Sequence, residues 1–249
     1  MSAQLKDKIA VVTGGSTGIG LGIARQFIAE GAFVFITGRR QAELDAAVAE
    51  LGPQAQGVQA DASNLADLDR LYETVKDAKG RIDVLVANAG IGEFAPLGRI
   101  TEAHFDKTFA TNVKGTLFTV QKALPLLSRG SSVILTSSTT SVLGGAAFSV
   151  YSASKAAIRN FARSWIQDLK GQDIRVNVLS PGPVKTPGLL GLAPAGEQQA
   201  LLDAVTAQVP LGRIGHPDEI GKVAVFLASD AASYVNGAEI FADGGQAQI

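Results

Sequence analysis

The sequence contains no cysteine, and among its 249 residues it has only two histidines, one methionine and one tryptophan. A chain without cysteine can form no disulfide, no thiolate nucleophile and no thiolate-bound metal site. The two histidines, His104 and His216, have no partner at the spacing of metal ligands, so we expect them to be solvated or helix-capping residues. We therefore expect no metal site.

An excess of charge is also missing. The chain carries 22 basic and 23 acidic residues, a net charge of −1, so its charge balance indicates neither nucleic acid nor an anionic membrane as a partner. No apolar run reaches the ~18 residues that a membrane span needs. Lys6, Asp7 and Lys8 lead directly into the first strand pattern, which leaves no room for a signal peptide. We expect an enzyme of the cytoplasm.

What the sequence does contain is a regular alternation of short apolar runs and helical patterns. We expect strands near residues 8–13, 32–37, 55–60, 82–87, 131–137, 173–179 and 238–242. Runs such as Val133-Ile134-Leu135 are typical of a parallel sheet covered on both faces. With 46% hydrophobic residues, the chain suits one domain over residues 1–249. The predicted fold class is α/β, a doubly wound parallel sheet of about seven strands with helices on both faces.

One long connection, at about residues 187–210, interrupts this alternation. It is rich in leucine, alanine and glycine, and it carries a helical pattern from roughly Glu197 to Gln208. A long insertion at the carboxyl end of a parallel strand is where a substrate lid would lie. The alternative is a disordered surface loop, and both descriptions hold if ligand binding orders the segment.

A glycine-rich loop follows the first predicted strand. Glycine lets a backbone approach a pyrophosphate closely, and free N–H groups at a helix N-terminus stabilise its negative charge. The spacing Gly-x-x-x-Gly-x-Gly differs from the commoner Gly-x-Gly-x-x-Gly, and an ordinary tight turn is the alternative. The apolar strand before the loop and the helical pattern after it favour a dinucleotide site. The candidate residues are Gly14, Ser16, Thr17, Gly18, Ile19 and Gly20.

The end of the second predicted strand, Gly38-Arg39-Arg40, indicates which dinucleotide is bound. About twenty residues beyond the glycine loop, NAD enzymes place an acid on the ribose 2′-hydroxyl, whereas an arginine suits a 2′-phosphate. No acid stands here, and a guanidinium offers paired donors that match a phosphate. We expect NADP(H) to be preferred over NAD(H), with one of the two arginines surplus. The alternative is a solvated arginine pair.

Tyr151 and Lys155 stand four residues apart near the start of a predicted helix, so their side chains share one face. A neighbouring ammonium stabilises a phenolate, so we expect Lys155 to lower the pKa of Tyr151 from its usual value of about 10. A hydroxyl tuned in this way can exchange a proton with a carbonyl or an alcohol. Ser138, at the end of the preceding strand, could hydrogen-bond the same oxygen. Taken singly, each residue has an ordinary alternative role: Tyr151 could be a packing residue, Lys155 a solvated one, and Ser138 a residue of a turn.

In their order along the whole chain, these motifs resemble those of the short-chain dehydrogenase/reductase family. The other matching pieces are Asp61, the turn Asn88-Ala89-Gly90, Asn112, the run from Pro181 to Thr186, the stretch from Pro210 to Gly215, and Asp243-Gly244-Gly245. One departure is Ala87, where many members have a second asparagine. The resemblance implies a Rossmann-type fold.

The resemblance also implies roles that spacing alone does not give. Asn112 would kink a helix and hold a water molecule beside Lys155. Lys155 would hold the nicotinamide ribose. The implied catalytic set is Asn112, Ser138, Tyr151 and Lys155. The implied cofactor contacts beyond the glycine loop are Arg39, Arg40, Asp61, Ala62, Asn88, Ala89, Gly90, Tyr151, Lys155, Pro181, Gly182, Val184 and Thr186.

The implied activity is hydride transfer between NADP(H) and a ketone or secondary alcohol. The residues expected around the nicotinamide are mostly apolar, which favours reduction of a hydrophobic ketone. They are Ile91, Glu93, Phe94, Leu143, Phe148, Val150, Pro183 and the leucines of the lid. The alternative is a 3-oxoacyl-[acyl-carrier-protein] reductase, which needs basic residues at the pocket mouth, and Arg129 and Arg159 are available. A non-catalytic nucleotide-sensing regulator is a minor alternative, since it would be expected to lose Ser138, Tyr151 or Lys155.

By the same resemblance, the helices near 101–128 and 149–170 should pair with their symmetry mates in a homotetramer. These helices carry more apolar residues than are needed to cover one face of the sheet, although packing within the core could bury all of them. These residues are Phe105, Phe109, Val113, Leu117, Phe161, Trp165 and Leu169.

Overall fold

The short apolar runs form a sheet in which every strand is parallel to its neighbours, with the spatial order β3-β2-β1-β4-β5-β6-β7. The computed structural model describes residues 3–248. The strands are β1 (Ile9–Val12), β2 (Phe33–Gly38), β3 (Ala55–Gln59), β4 (Ile82–Ala87), β5 (Leu127–Thr136), β6 (Arg175–Pro181) and β7 (Glu239–Ala242). The expected fold class is confirmed, although β5 begins at Leu127 rather than near residue 131.

Helices cover both faces of this sheet. They are α1 (Gly18–Ala29), α2 (Gln41–Leu51), α3 (Leu65–Lys79), α4 (Glu102–Phe109), α5 (Gly115–Ala123), α6 (Ser149–Asp168), α7 (Pro187–Leu190), α8 (Gln198–Thr206) and α9 (Pro217–Ala228). Side chains of α1, α2 and α9 form one apolar core, and those of α3, α5 and α6 form the other. Along β1, Ala10 and Val12 face the first core while Ile9 and Val11 face the second, as the two-residue period of a strand requires. Burial on both faces explains why this strand is apolar at every position.

The order of the strands reverses beside β1, which lies between β2 and β4. In open α/β sheets, ligands bind in the crevice outside the carboxyl ends of the strands at such a point. The loop after β1 and the loop after β4 meet there, because Thr13 N–H donates to the Val86 carbonyl (3.0 Å). The topology therefore brings the glycine loop and the Asn88 turn together.

Two facing glycines let α9 pack closely on α1. A Cβ on Gly22 would lie 2.6 Å from the backbone of Pro217, and one on Gly221 would lie 2.7 Å from the carbonyl oxygen of Gly22. Arg25 of α1 also forms an ion pair with Asp218 of α9. The helix that follows the glycine loop is thus supported by a helix close to the end of the chain.

Two segments differ from the expected helices. The helix expected near 101–128 is interrupted, because α4 passes through a π-helical turn (Ala110–Lys114) before α5, and a 3-10 turn (Leu124–Leu126) follows. The connection at 187–210 contains α7 and α8, and α8 ends at Thr206 rather than near residue 208. Among the described residues, no helix is both long and apolar enough to cross a membrane.

Candidate active site

The expected proton-transfer residues meet at the carboxyl end of β5. Helix α6 begins at Ser149, so Tyr151 lies in its first turn and Lys155 one turn later. The Lys155 side chain is buried, and its Nζ lies 5.6 Å from the centroid of the Tyr151 ring. Ser138 begins a 3-10 turn (Thr139–Ser141) just beyond β5 and contacts the Tyr151 hydroxyl. The structure therefore brings Ser138, Tyr151 and Lys155 together.

Burial has a larger effect on the pKa values of Tyr151 and Lys155 than any attraction between them. It raises the pKa of Tyr151 to about 12, and contact with the Ser138 hydroxyl opposes this shift only in part. Burial also lowers the pKa of Lys155 to about 8. The expectation that Lys155 lowers the pKa of Tyr151 is wrong for this state of the protein. The reason is geometric, since Lys155 Nζ donates to the Thr136 carbonyl (2.9 Å) instead of contacting the phenol oxygen.

Asn112 lies inside the π-helical turn and is completely buried. Its Oδ1 accepts from the Ile91 N–H (2.8 Å), while its Nδ2 donates to the Ile91 carbonyl (2.9 Å) and to Ser154 Oγ (2.9 Å). Ser154 in turn donates to the Tyr151 carbonyl (2.6 Å). The Asn112 amide therefore ties the loop after β4 to the first turns of α6. The expected break in the helix is present, and the water beside Lys155 stays a prediction.

The glycine loop has the backbone that a phosphate site needs. Gly14 and Gly18 have positive φ values of 66° and 56°, which favour glycine. A Cβ on Gly20 would lie 2.2 Å from the Gly14 carbonyl oxygen, so the loop closes on itself only because that residue has no side chain. Within the described chain, the Thr17 side chain makes no capping bond to α1, and the first turn carries no acid. Free N–H groups and the helix dipole are therefore available to an anion.

Threonine side chains hold this loop in place, a role that the sequence did not indicate. Thr13 Oγ1 accepts from the N–H groups of Asn88 (3.1 Å) and Ala89 (3.2 Å), and the Asn88 amide donates to the Thr13 carbonyl (3.0 Å). The Gly14 N–H donates to Thr37 Oγ1 at the end of β2 (3.1 Å). Gly90, the last residue of this turn, lies beside Lys155, since a Cβ there would lie 3.2 Å from Lys155 Nζ. The intact Asn88 turn is thus part of the loop's support.

The two arginines after β2 have different surroundings. The Arg39 side chain is half exposed, with its Nη1 4.0 Å from Asp61 Oδ2, and Gln59 donates to its carbonyl (3.0 Å). Arg40 instead pairs with Glu43 in the first turn of α2. Ser16 lies against the backbone just before Arg39, because a Cβ on Gly38 would be 2.6 Å from Ser16 Oγ. Arg39 therefore directly follows the glycine that Ser16 contacts, whereas Arg40 is paired with an acid of its own helix turn.

The remaining expected cofactor residues lie at or just beyond the carboxyl ends of β3 and β6. Gly182 lies against the Asp243 backbone, and Val184 forms an isolated bridge with Gly215. Thr186 caps α7 by accepting from the Leu189 N–H (3.0 Å), and a Cβ on Gly18 would lie 3.3 Å from its side chain. The residue just before the expected lid therefore lies against the glycine loop. Ala62 and Pro181 are buried at the ends of β3 and β6.

An aromatic wall of Phe94 and Phe148 lies beside Tyr151. The Phe148 ring stacks on Tyr151 with centroids 4.4 Å apart, and the Phe94 ring lies 4.7 Å from Phe148. A backbone hydrogen bond from Ala95 to Ala147 (2.8 Å) joins the two loops. Phe94 is 44% exposed, so the wall reaches solvent.

The charged residues weighed for other roles lie elsewhere. Arg159 pairs with Glu239 on β7, and Arg129 lies in the first part of β5, the end of the strand away from Ser138. Glu93 is exposed beside Lys107. His216 caps α9, as expected. Among residues 3–248, no three histidine or acidic side chains are grouped as metal ligands.

Comparison with known proteins agrees with this geometry. A family model described as enoyl-(acyl carrier protein) reductase matches residues 14–247. The oxidoreductase asL5 of Sarocladium schorii is 52% identical over 99% of this chain and 98% of that protein. The NADP-dependent (R)-specific alcohol dehydrogenase of Lentilactobacillus kefiri is 36% identical, over 98% of each chain. A 3-oxoacyl-[acyl-carrier-protein] reductase of Thermotoga maritima is also 36% identical, over 97% of this chain and 98% of that protein.

A solved structure extends this similarity to the backbone. The crystal structure of a short-chain dehydrogenase/reductase from Brucella melitensis, titled glucose/ribitol dehydrogenase, superposes with a TM-score of 0.92 at 33% identity. The match covers 99% of both chains. The fold and the order of the motifs therefore extend over the whole chain.

Proposed function

Because the chain belongs to the short-chain dehydrogenase/reductase family, whose members use a nicotinamide cofactor, we propose that it reduces hydrophobic ketones with NADPH. The observation that carries the proposal is the meeting of Ser138, Tyr151 and Lys155 beside the aromatic wall. Apolar pockets with a few converging polar groups suit small hydrophobic ligands.

Each catalytic side chain has a task in this reaction. The nicotinamide, when bound, supplies the hydride to the carbonyl carbon. Tyr151, with its pKa raised to about 12, is protonated at neutral pH, the state that a proton donor to the carbonyl oxygen requires. Ser138 donates a hydrogen bond to the same oxygen, and loss of such a donor typically costs about 3–4 kcal/mol of barrier. Lys155 holds the ribose and brings positive charge toward the phenolate that forms.

The preference for NADP(H) rests on Arg39. Its half-exposed guanidinium lies near Asp61, and the residue itself follows β2 at the position where an NAD enzyme would have an acid for the ribose 2′-hydroxyl. The long contact with Asp61 leaves most of its donors available to a phosphate. The NADP-dependent relative from Lentilactobacillus kefiri supports the same preference.

Reduction of 3-oxoacyl groups on acyl carrier protein is the second candidate, favoured by the relative from Thermotoga maritima. An acidic carrier needs basic residues at the pocket mouth. Arg159 is engaged with Glu239, and Arg129 is at the far end of β5, so neither serves that purpose. This arrangement favours a free ketone. A nucleotide-sensing regulator without catalysis is disfavoured, because all three proton-transfer residues are present.

The test is a substrate panel with the purified protein. NADPH or NADH would be mixed with aryl ketones, β-keto esters and an acetoacetyl thioester, and cofactor oxidation followed by absorbance. We expect the highest kcat/KM for an aryl ketone with NADPH, and a kcat lower by orders of magnitude for Tyr151→Phe. Oxidation with the thioester alone would favour the carrier reductase. No oxidation with any member of the panel would favour the regulator.

We also propose that the protein acts as a homotetramer. Phe105 is 44% exposed and stacks on Phe109, and Phe161 stacks on a half-buried Trp165. Leu169 does not contribute, because it is 8% exposed and belongs to the core. Light scattering at micromolar concentration should give four times the mass of the chain, and a monomer would refute the assembly. A cytoplasmic location stays a prediction.

A further inference from the structure

The Ser138 hydroxyl is contacted twice by Thr140, two residues further along the same turn. Ser138 Oγ accepts from the Thr140 N–H (3.2 Å) and from Thr140 Oγ1 (3.1 Å). A serine hydroxyl has one proton to donate and two lone pairs that accept. When Thr140 donates to both lone pairs, Ser138 can accept no further hydrogen bond. The one hydrogen bond that it can still form is the one that its own proton donates.

We propose that Thr140 is a positioning residue, which directs the Ser138 proton into the cleft toward the carbonyl oxygen of the substrate. This inference rests on the proposed ketone reduction, because that reaction requires Ser138 to donate. Thr140 itself touches neither substrate nor cofactor in this role. It acts by removing the orientations in which the Ser138 hydroxyl would accept from the substrate or donate away from it.

The other hydroxyls of the turn are committed elsewhere. Thr139 Oγ1 donates to Gln246 Oε1 (3.2 Å), and Ser141 Oγ donates to Glu239 Oε1 (3.0 Å). These two contacts fasten the turn to the C-terminal segment independently of Thr140. Within residues 3–248, Ser138 is the hydrogen-bond partner of the Thr140 hydroxyl.

Ser138 also lies next to the proposed proton donor, because its hydroxyl contacts that of Tyr151. A carbonyl oxygen that takes a proton from Tyr151 would therefore lie within reach of the Ser138 hydroxyl as well.

Three variants separate positioning from packing. Thr140→Val removes the hydroxyl but keeps the branched shape and the N–H, Thr140→Ser restores a hydroxyl, and Thr139→Val removes a neighbouring hydroxyl that does not reach Ser138. One hydrogen bond is worth ~0.5–1.5 kcal/mol, so we expect kcat of Thr140→Val to fall about three- to tenfold, with KM for NADPH unchanged. Thr140→Ser should recover most of the rate. Thr139→Val should lower the melting temperature while leaving kcat within about twofold.

A second measurement tests the route through Ser138. In a Ser138→Ala background, Thr140→Val should cause no further loss, because the group it orients is gone. An equal loss in both backgrounds would overturn the proposal. So would a faster Thr140→Val enzyme, which would mean that Ser138 donates to Thr140 in the wild type.

Failure of the proposed function gives a different result from failure of this inference. If the wild type reduced no ketone, the proposed function would be wrong. Crystal structures would then test whether Thr140 orients Ser138. We expect Ser138 in one rotamer in the wild type and Thr140→Ser, and in several rotamers in Thr140→Val. A single unchanged rotamer in Thr140→Val would show that Thr140 does not orient Ser138.

Discussion

Replacing the buried lysine should stabilise the protein while it abolishes activity. Lys155 is 3% exposed, and its charged form carries a desolvation cost that lowers its pKa from 10.5 to about 8. The methionine in Lys155→Met has a similar length and no charge to desolvate. The variant would lose the charge beside Tyr151 and the contact expected to hold the ribose, so turnover should fall by orders of magnitude.

The size of the effect follows from the pKa difference. Between pH 8 and 10.5 the unfolded chain binds a proton at Lys155 that the folded protein does not, so wild-type stability rises with pH through this window. Below it, the buried ammonium costs the full difference, roughly 3 kcal/mol. Loss of the hydrogen bond to Thr136 offsets about 1 kcal/mol. Lys155→Met should therefore be more stable than the wild type by about 2 kcal/mol near pH 7.

Urea unfolding at two pH values measures this difference. Between about pH 7 and pH 10 the wild type should gain roughly 2–3 kcal/mol of unfolding free energy relative to Lys155→Met. Because packing and the lost hydrogen bond contribute equally at both pH values, this relative gain isolates the charge. The exposed Lys170 provides the control, and Lys170→Met should show no such gain. Parallel pH profiles for the wild type and Lys155→Met would refute the account of a buried ammonium.

Four further substitutions test the other parts of the site. Tyr151→Phe should keep the fold and NADPH binding but lower kcat by about 10²–10⁴-fold, and retention of more than about a tenth of the rate would contradict its role as proton donor. Arg39→Ala should raise KM for NADPH far more than KM for NADH, whereas Arg40→Ala should change neither; equal losses for both cofactors would exclude Arg39 as the reader of the phosphate. Leu190→Ala should raise KM for a bulky aryl ketone more than for a small one, because a buried leucine contributes roughly 1.5–3 kcal/mol. Equal effects on the two ketones would place Leu190 outside the pocket.

The parts of the site that the sequence predicted are those set by local geometry. The four-residue spacing of Tyr151 and Lys155 fixes their common face once a helix is predicted, and the glycine loop depends on the strand and helix next to it. Periodicity and spacing were sufficient for these motifs. The sequence left the choice between Arg39 and Arg40 open, and the pairing of Arg40 with Glu43 is seen only in the structure.

What the sequence could not provide depends on residues far apart in the chain. The partners of the Ser138 turn, Glu239 and Gln246, lie about a hundred residues away, and no local pattern relates them. The pKa values of Tyr151 and Lys155 depend on how deeply the fold buries them, so the spacing predicted the wrong direction for the tyrosine. The apolar spacing of the sequence did not predict the π-helical turn at Asn112, and only the resemblance indicated a break in this helix.

The glycine contact between α1 and α9 limits how this protein can be divided into working pieces. A fragment that stopped after β5 would keep the glycine loop and Arg39, yet it would lose the helix against which Gly22 packs. The exposed backbone of α1 would then meet water where it now meets Pro217. The amino-terminal half therefore cannot be transferred by itself to a fusion protein as a cofactor-binding unit. A chimera that contains it must also contain α9, or another helix with a glycine at the same crossing.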